Sequence, residues 1–224
     1  MKLYYDGANT DDFIKLHDLG VISGITTNLS FCKKVMNENS LSYKDLLKHI
    51  HKEVSLHKKL SLSFQLFNTE TSKMIDEAIE YQDLFSSDVS LKIKVPFSYE
   101  NCIVIKTLIK NGINVNATCV TGFMQGVVAA NMGCKYISYF WGKMTDEDIN
   151  PGNLIYDLKN LFEKNNLNNS SEILVGSIRQ PQVISEAFKF GADIVTTQIQ
   201  NFPKFLNQLK SNEANILFQN DWNK

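Results

Sequence analysis

The chain has 224 residues, of which 43% are hydrophobic and 21% charged, and a formal net charge of −1. That length suits one ordinary domain or a short α/β barrel. The apolar share excludes global disorder, and the balanced charge argues against a nucleic-acid footprint. No run of 18 apolar residues occurs, so no membrane partner is expected. Residues 1–6 lack the apolar region of a secretory signal, which points to a cytoplasmic protein.

Taken in chain order, short β-like runs alternate with helical patterns eight times. The strands are expected at residues 3–5, 20–26, 60–67, 90–95, 113–119, 135–140, 172–176 and 192–196. Each is rich in branched or aromatic residues and bounded by Gly, Asn, Asp or Pro. Between them, residues 42–57 place Leu46, Leu47, Ile50 and Val54 on one face. Residues 71–84 do the same with Met74, Ile75, Ala78 and Ile79, and residues 99–110 with Ile103, Ile105, Leu108 and Ile109. Asp88, Gly112, Gly133 and Gly191 punctuate the helix-to-strand connections. Eight such units imply a parallel sheet closed into a single (β/α)8 TIM barrel over residues 1–210. A doubly wound open sheet is the competing arrangement, but no Gly-x-Gly-x-x-Gly or P-loop motif is present to support it. Residues 211–224 lie beyond the eighth unit. They carry Ile216, Leu217, Phe218 and Trp222, which need a surface to cover them, on this barrel or on a neighbouring protomer.

Cys32, Cys102, Cys119 and Cys134 are far apart and form no Cys-x-x-Cys pair. With the four histidines they make no zinc spacing, so they read as four buried free thiols and no metal site is expected. Of the 23 basic residues, Arg179 is the sole arginine.

In a barrel the active site sits at the C-terminal ends of the strands. The polar residues at those ends are Asp6, Thr26, Asn28, Gln65, Lys94, Asn116, Thr118 and Ser138, then Lys143, Ser177 and Arg179 just beyond. Polar side chains in buried strands are costly unless hydrogen-bonded, so they suggest one convergent pocket. Lys94 is the sharpest of them. A buried lysine is driven toward its neutral amine, which attacks carbonyls. An ion-paired barrel residue is the alternative. Lys92 has the same parity and, if charged, would depress Lys94 further.

These pieces occur in a recognisable order: Leu3-Tyr4-Tyr5-Asp6, Gly24-Ile25-Thr26-Thr27-Asn28, Ile93-Lys94-Val95-Pro96 and Gly112-Ile113-Asn114-Val115-Asn116-Ala117-Thr118. Gln125-Gly126, Tyr136-Ile137-Ser138-Tyr139-Phe140-Trp141-Gly142-Lys143, Ser177-Ile178-Arg179-Gln180-Pro181 and Phe218-Gln219-Asn220-Asp221-Trp222 complete it. As an ordered set over nearly the whole chain, they make it resemble the small transaldolase family, which also contains fructose-6-phosphate aldolase. The resemblance implies class I aldol chemistry in the pentose phosphate pathway, with no cofactor. Lys94 would form the Schiff base and Asp6 would move the proton. Thr118 and Gln65 would hold the catalytic water. Thr26, Asn28, Asn116, Ser138 and Phe140 would surround the dihydroxyacetone unit. Arg179, Ser177 and Lys143 would hold the phosphate. It also implies phosphorylated sugars as substrates, a C-terminal helix packed on a neighbouring protomer, and a homo-oligomer, pentamer or decamer.

Departures from the family pattern bear on the reaction. Leu29 stands where proline is usual, and Lys143 replaces an arginine with a point charge. Gln65 matches the aldolase branch, while Phe140 and Asn116 match the transaldolases. Transaldolase is the preferred reading, fructose-6-phosphate aldolase the second. A non-catalytic sugar-phosphate-binding protein is the third, disfavoured because Lys94, Asp6 and Thr118 are all retained.

Overall fold

The computed structural model describes residues 1–57, 60–85, 89–165 and 171–223, so Asp88 and Lys224 lie outside the described residues. Eight parallel strands close in chain order into a barrel: β1 Lys2–Asp6, β2 Gly24–Thr26, β3 Ser61–Gln65, β4 Ser90–Pro96, β5 Val115–Val120, β6 Tyr136–Phe140, β7 Glu172–Gly176 and β8 Ile194–Thr197, which returns to β1. The helices around them are α1 Thr10–Asp18, α2 Leu29–Asn39, α3 Tyr43–Ser55, α4 Thr71–Leu84, α5 Cys102–Lys110, α6 Phe123–Asn131, α7 Trp141–Asp146, α8 Pro151–Lys164, α9 Gln182–Lys189 and α10 Phe202–Leu206. A further helix, α11 Leu209–Trp222, follows the barrel. The chain is therefore a (β/α)8 barrel with an additional C-terminal helix. No helix among the described residues is long and apolar enough to cross a membrane.

Strand parity divides the side chains into two environments. Outward-facing Leu62, Phe64, Ile93 and Val95 are fully buried between sheet and helices. Each such side chain contributes roughly 1.5–3 kcal/mol over leaving it in water. Inward-facing Tyr4, Tyr136, Leu174 and Ile194 form a separate plug at the lower end of the barrel. The plug fits because Gly24 has no side chain: a Cβ there would lie 2.5 Å from the Tyr4 ring. Above it the interior becomes polar, which is what positions the site.

Several sequence expectations are corrected. Strand two is Gly24–Thr26 rather than residues 20–26, because Gly20, at φ +68, ends the turn after α1. Ile79 and Ile103 are exposed. On α4 the buried positions are Met74, Glu77, Ala78 and Tyr81 instead. The Glu77 carboxylate accepts from Phe67 N at 2.7 Å, Asn68 N at 2.9 Å and the Tyr81 hydroxyl, so a charged residue ties down the loop after β3. The cysteines are not uniformly buried: Cys32 and Cys134 are, Cys102 is half-buried and Cys119 is exposed. Cys119 lies at a register break between β5 and β6 with φ +61, the local bend of a β-bulge, and its side chain is exposed.

Helix α11 buries none of its residues, and Trp222 is 90% exposed. Of the two surfaces considered for the tail, its own barrel is not the one that covers it. Leu29 opens α2 in regular fashion, because Asn28 caps the helix through its side chain.

Candidate active site

The site is assembled from the last inward-facing residues of the strands. In the β3–β4–β5 register, Lys94 stands between Gln65 and Asn116. Lys94 is buried, and its amine donates to Thr27 O at 2.7 Å. Burial pulls its pKa below the ordinary lysine value, against the opposing pull of Asp6, then Cys119 and Cys32. Desolvation pushes Asp6 up, against Lys94 and a 2.7 Å hydrogen bond donated by Thr26 Oγ1. For both groups burial outweighs mutual attraction, so each moves toward its neutral form. A neutral amine is the nucleophilic form of lysine.

Hydroxyl and amide groups complete the inner surface. Thr26 has a single O–H, which goes to Asp6, so the 2.6 Å contact between Thr26 Oγ1 and Thr196 Oγ1 is donated by Thr196. Ser138 Oγ donates to Asn116 Oδ1 at 2.7 Å, and Asn116 Nδ2 donates to Ser63 Oγ at 3.1 Å. One Asn116 amide hydrogen remains for a ligand. The Asn28 carbonyl oxygen caps α2 through Phe31 N at 3.0 Å, so Asn28 offers its NH2 group to the mouth. Thr118 Oγ1 is fully buried and unpartnered, the kind of orphan that a bound water or substrate satisfies.

A cavity of about 230 Å³ opens here. Asp6, Thr26, Asn28, Lys94, Ser138, Phe140 and Ser177 line it. Ser177 sits at φ +58, a sparsely populated conformation that recurs at ligand sites. Gln65 and Asn116 flank Lys94 in the wall. Arg179 and Lys143 do not line the cavity. Both lie on its outer shoulder, where Arg179 Nη1 and Nη2 grip Asp146 Oδ1 and Oδ2 at 2.5 and 2.6 Å, and Lys143 Nζ lies 4.0 Å from Asp146 Oδ2. That fork holds the Asp146 carboxyl below its usual range.

Lys92 departs from expectation. Its amine points the other way, to Ser90 Oγ at 2.6 Å, Ser90 O at 3.0 Å and Ser61 Oγ at 3.1 Å, with the Tyr136 ring centroid 4.9 Å away. The charges that act on Lys94 are Asp6, Cys119 and Cys32, so Lys92 is not what depresses it.

Sequence reasoning missed Thr196, Gln198, Phe31 and Leu174, which also line the cavity, and Ser63 and Asp146 beside it. The strand-end rule, applied to β8, would have found Thr196 and Gln198. Nothing in the sequence marks Asp146.

A closed barrel with a buried lysine, a carboxylate and a ring of hydroxyl and amide groups at its mouth has the layout of a (β/α)8-barrel enzyme site for a small polar molecule. The family model described as transaldolase/fructose-6-phosphate aldolase matches residues 3–223. The chain is 34% identical over 224 residues to a probable transaldolase of Nitrosopumilus maritimus, covering 100% of this chain and 96% of that protein. It is 32% identical over 228 residues to a probable transaldolase of Syntrophobacter fumaroxidans, covering 100% and 97%. Among solved structures, a mutant flavocytochrome b2 with benzoylformate superposes with a TM-score of 0.62 at 14% identity. That match covers 89% of this chain and 57% of the other, and it reflects the shared barrel fold alone. The chain belongs to the transaldolase/fructose-6-phosphate aldolase family.

Proposed function

We propose that this protein is a transaldolase working through a Schiff base on Lys94. The observation that carries the reading is the buried Lys94 amine in the barrel wall, with its pKa lowered, opening with Asp6 onto one cavity. The Lys94 amine attacks the C2 ketone of fructose 6-phosphate or sedoheptulose 7-phosphate. The carbinolamine loses water to give an iminium. Asp6 takes the proton of the C4 hydroxyl, the C3–C4 bond breaks, and its electron pair flows into the iminium to form an enamine. An aldose phosphate leaves. The enamine carbon then adds to the aldehyde of an acceptor aldose phosphate, which takes its proton back from Asp6. Water hydrolyses the new iminium and restores Lys94.

Thr118 and Gln65 hold the water of the iminium steps. Asn116, Ser138 and Asn28 hydrogen-bond the dihydroxyacetone hydroxyls, Thr26 orients Asp6, and Phe140 forms the apolar wall. Ser177, Arg179 and Lys143 receive the phosphate. Phe140 brings no hydroxyl to the enamine, which favours its survival until an acceptor arrives.

Gln65 supports a second reading, cleavage of fructose 6-phosphate to dihydroxyacetone and glyceraldehyde 3-phosphate. Assaying fructose 6-phosphate with and without erythrose 4-phosphate separates the two. Turnover only with the acceptor supports transfer, and dihydroxyacetone release without it supports cleavage. The exposed apolar side chains of α11, among them Ile216, Leu217, Phe218 and Trp222, support a homo-oligomer in which a neighbouring copy covers that helix, and the family resemblance implies a pentamer or decamer. The reading places the protein in the cytoplasm, in sugar-phosphate metabolism.

A further inference from the structure

We propose that Asp146 is a specificity-determining residue that competes with the substrate's phosphate for Arg179. The inference rests on the reading of Arg179 as the phosphate-binding cation. Asp146 already occupies both outer nitrogens of the guanidinium through the parallel two-bond geometry that a phosphate would use. The Nε edge of the same guanidinium lies beside Gly142, as does Ser177. A Cβ on Gly142 would meet Arg179 Nε at 2.8 Å and Ser177 Oγ at 2.9 Å, so both atoms border one bare spot beside cavity-lining Ser177. The Nε edge of the guanidinium therefore faces the neighbourhood of cavity-lining Ser177, while its Nη1 and Nη2 end is held by Asp146. A phosphate ester entering over Ser177 must take that end from Asp146.

The exchange is physically accessible. The Arg179 and Asp146 side chains are 55% and 42% exposed, so water solvates the carboxylate as it is released. Lys143, 4.0 Å from the same carboxylate, gives Asp146 a second partner to settle on. With Asp146 present, the shoulder carries two cations and one anion instead of two cations. It thus weakens the hold on phosphate without touching the chemistry at Lys94. The consequence is a site that binds phosphorylated sugars loosely enough to exchange donor and product, and that discriminates less sharply against unphosphorylated donors.

The test compares wild type, Asp146→Asn, Asp146→Ala, Arg179→Gln and the Asp146→Asn/Arg179→Gln double variant. The readouts are KM and kcat for fructose 6-phosphate, KM for dihydroxyacetone as donor, and competitive inhibition by inorganic phosphate. Both Asp146 variants are expected to lower KM for fructose 6-phosphate and the inhibition constant of phosphate about two- to fivefold, the scale of one exposed ion pair. The KM for dihydroxyacetone should stay unchanged, and the effect should vanish in the Arg179→Gln background. A rise in either constant would make Asp146 a support that positions Arg179 and overturn the proposal, as would no change in a chain where Arg179→Gln weakens phosphate. If Arg179→Gln itself leaves both constants unaltered, the phosphate reading of Arg179 falls and this proposal falls with it. Schiff-base trapping on Lys94 would remain a separate question.

Discussion

Lys92 and Lys94 share one face of β4, yet their amines diverge. Lys94 reaches toward the mouth to Thr27 O, while Lys92 reaches down to Ser90 and Ser61 at the start of β4 and β3. Borohydride added with fructose 6-phosphate should therefore trap the adduct on Lys94 alone. Lys94→Ala should fold and show no adduct and no turnover. Because burial lowers the pKa of Lys94, the rate of adduct formation should reach its plateau below the ordinary lysine value of about 10.4. Peptide mapping to Lys92, or a plateau reached only near that value, would contradict the assignment.

Lys92 carries a stability signature of its own. Burial lowers its pKa to about 8, with Lys135 and Lys2 adding to the fall and Glu172 opposing it. Between about pH 8 and 10.4 the unfolded chain holds a proton on this residue that the folded chain has released. Stability should then rise with pH across that window, by up to about 3 kcal/mol, and the penalty should be fully present below pH 8. Lys92→Met should lose this upward slope. Urea unfolding of both proteins at pH 7.5, 8.5 and 9.5 provides the measurement, and parallel curves would refute it.

Thr26 should tune Asp6. Its hydroxyl donates to the Asp6 carboxylate and so favours the charged form. Thr26→Val should raise the Asp6 pKa further, because the hydrogen bond that favours its charged form is lost. The acid limb of kcat/KM should move up accordingly. Thr196→Val acts one bond further away and should shift it less. An acid limb unmoved by Thr26→Val would show that a group other than Asp6 controls it.

The balance of transfer and cleavage should answer to Gln65 and Phe140. Gln65→Glu supplies a carboxylate that can take a proton from the attacking water and should favour transfer. Phe140→Tyr brings a hydroxyl into the cavity wall where it can protonate the enamine, and should raise dihydroxyacetone release without acceptor. If both sites address one water, the double variant will not be the sum of the singles. A folded Phe140→Tyr that releases no more dihydroxyacetone than wild type would remove this explanation of the partition.

Strand order, closure and the upper-mouth residues were legible along the chain because they follow local rules. Period-two apolar runs between turn residues mark strands, and a polar group ending such a run marks the mouth. Asp6, Thr26, Lys94, Ser138 and Phe140 all surface that way, and the structure brings them to one cavity. Local rules also produced the errors. The periodicity of residues 71–84 cannot show that Glu77, held by four hydrogen-bond donors, takes a buried place while Ile79 stays exposed.

By itself the sequence determined the fold, through residue types at spacings set by the backbone period, and the family, through the order of its motifs, and it marked Lys94 as the lysine nearest the mouth. Tertiary structure alone decided which way each charge turns. Lys92 and Lys94 have the same parity, and only the neighbouring strands send one amine down to Ser90 and the other up to Thr27. Arg179 and Asp146 are 33 positions apart, and only the pairing of β6 with β7 brings them into a two-bond grip. Orientation of a long side chain depends on partners distant in sequence, and the chain's local pattern carries no record of them.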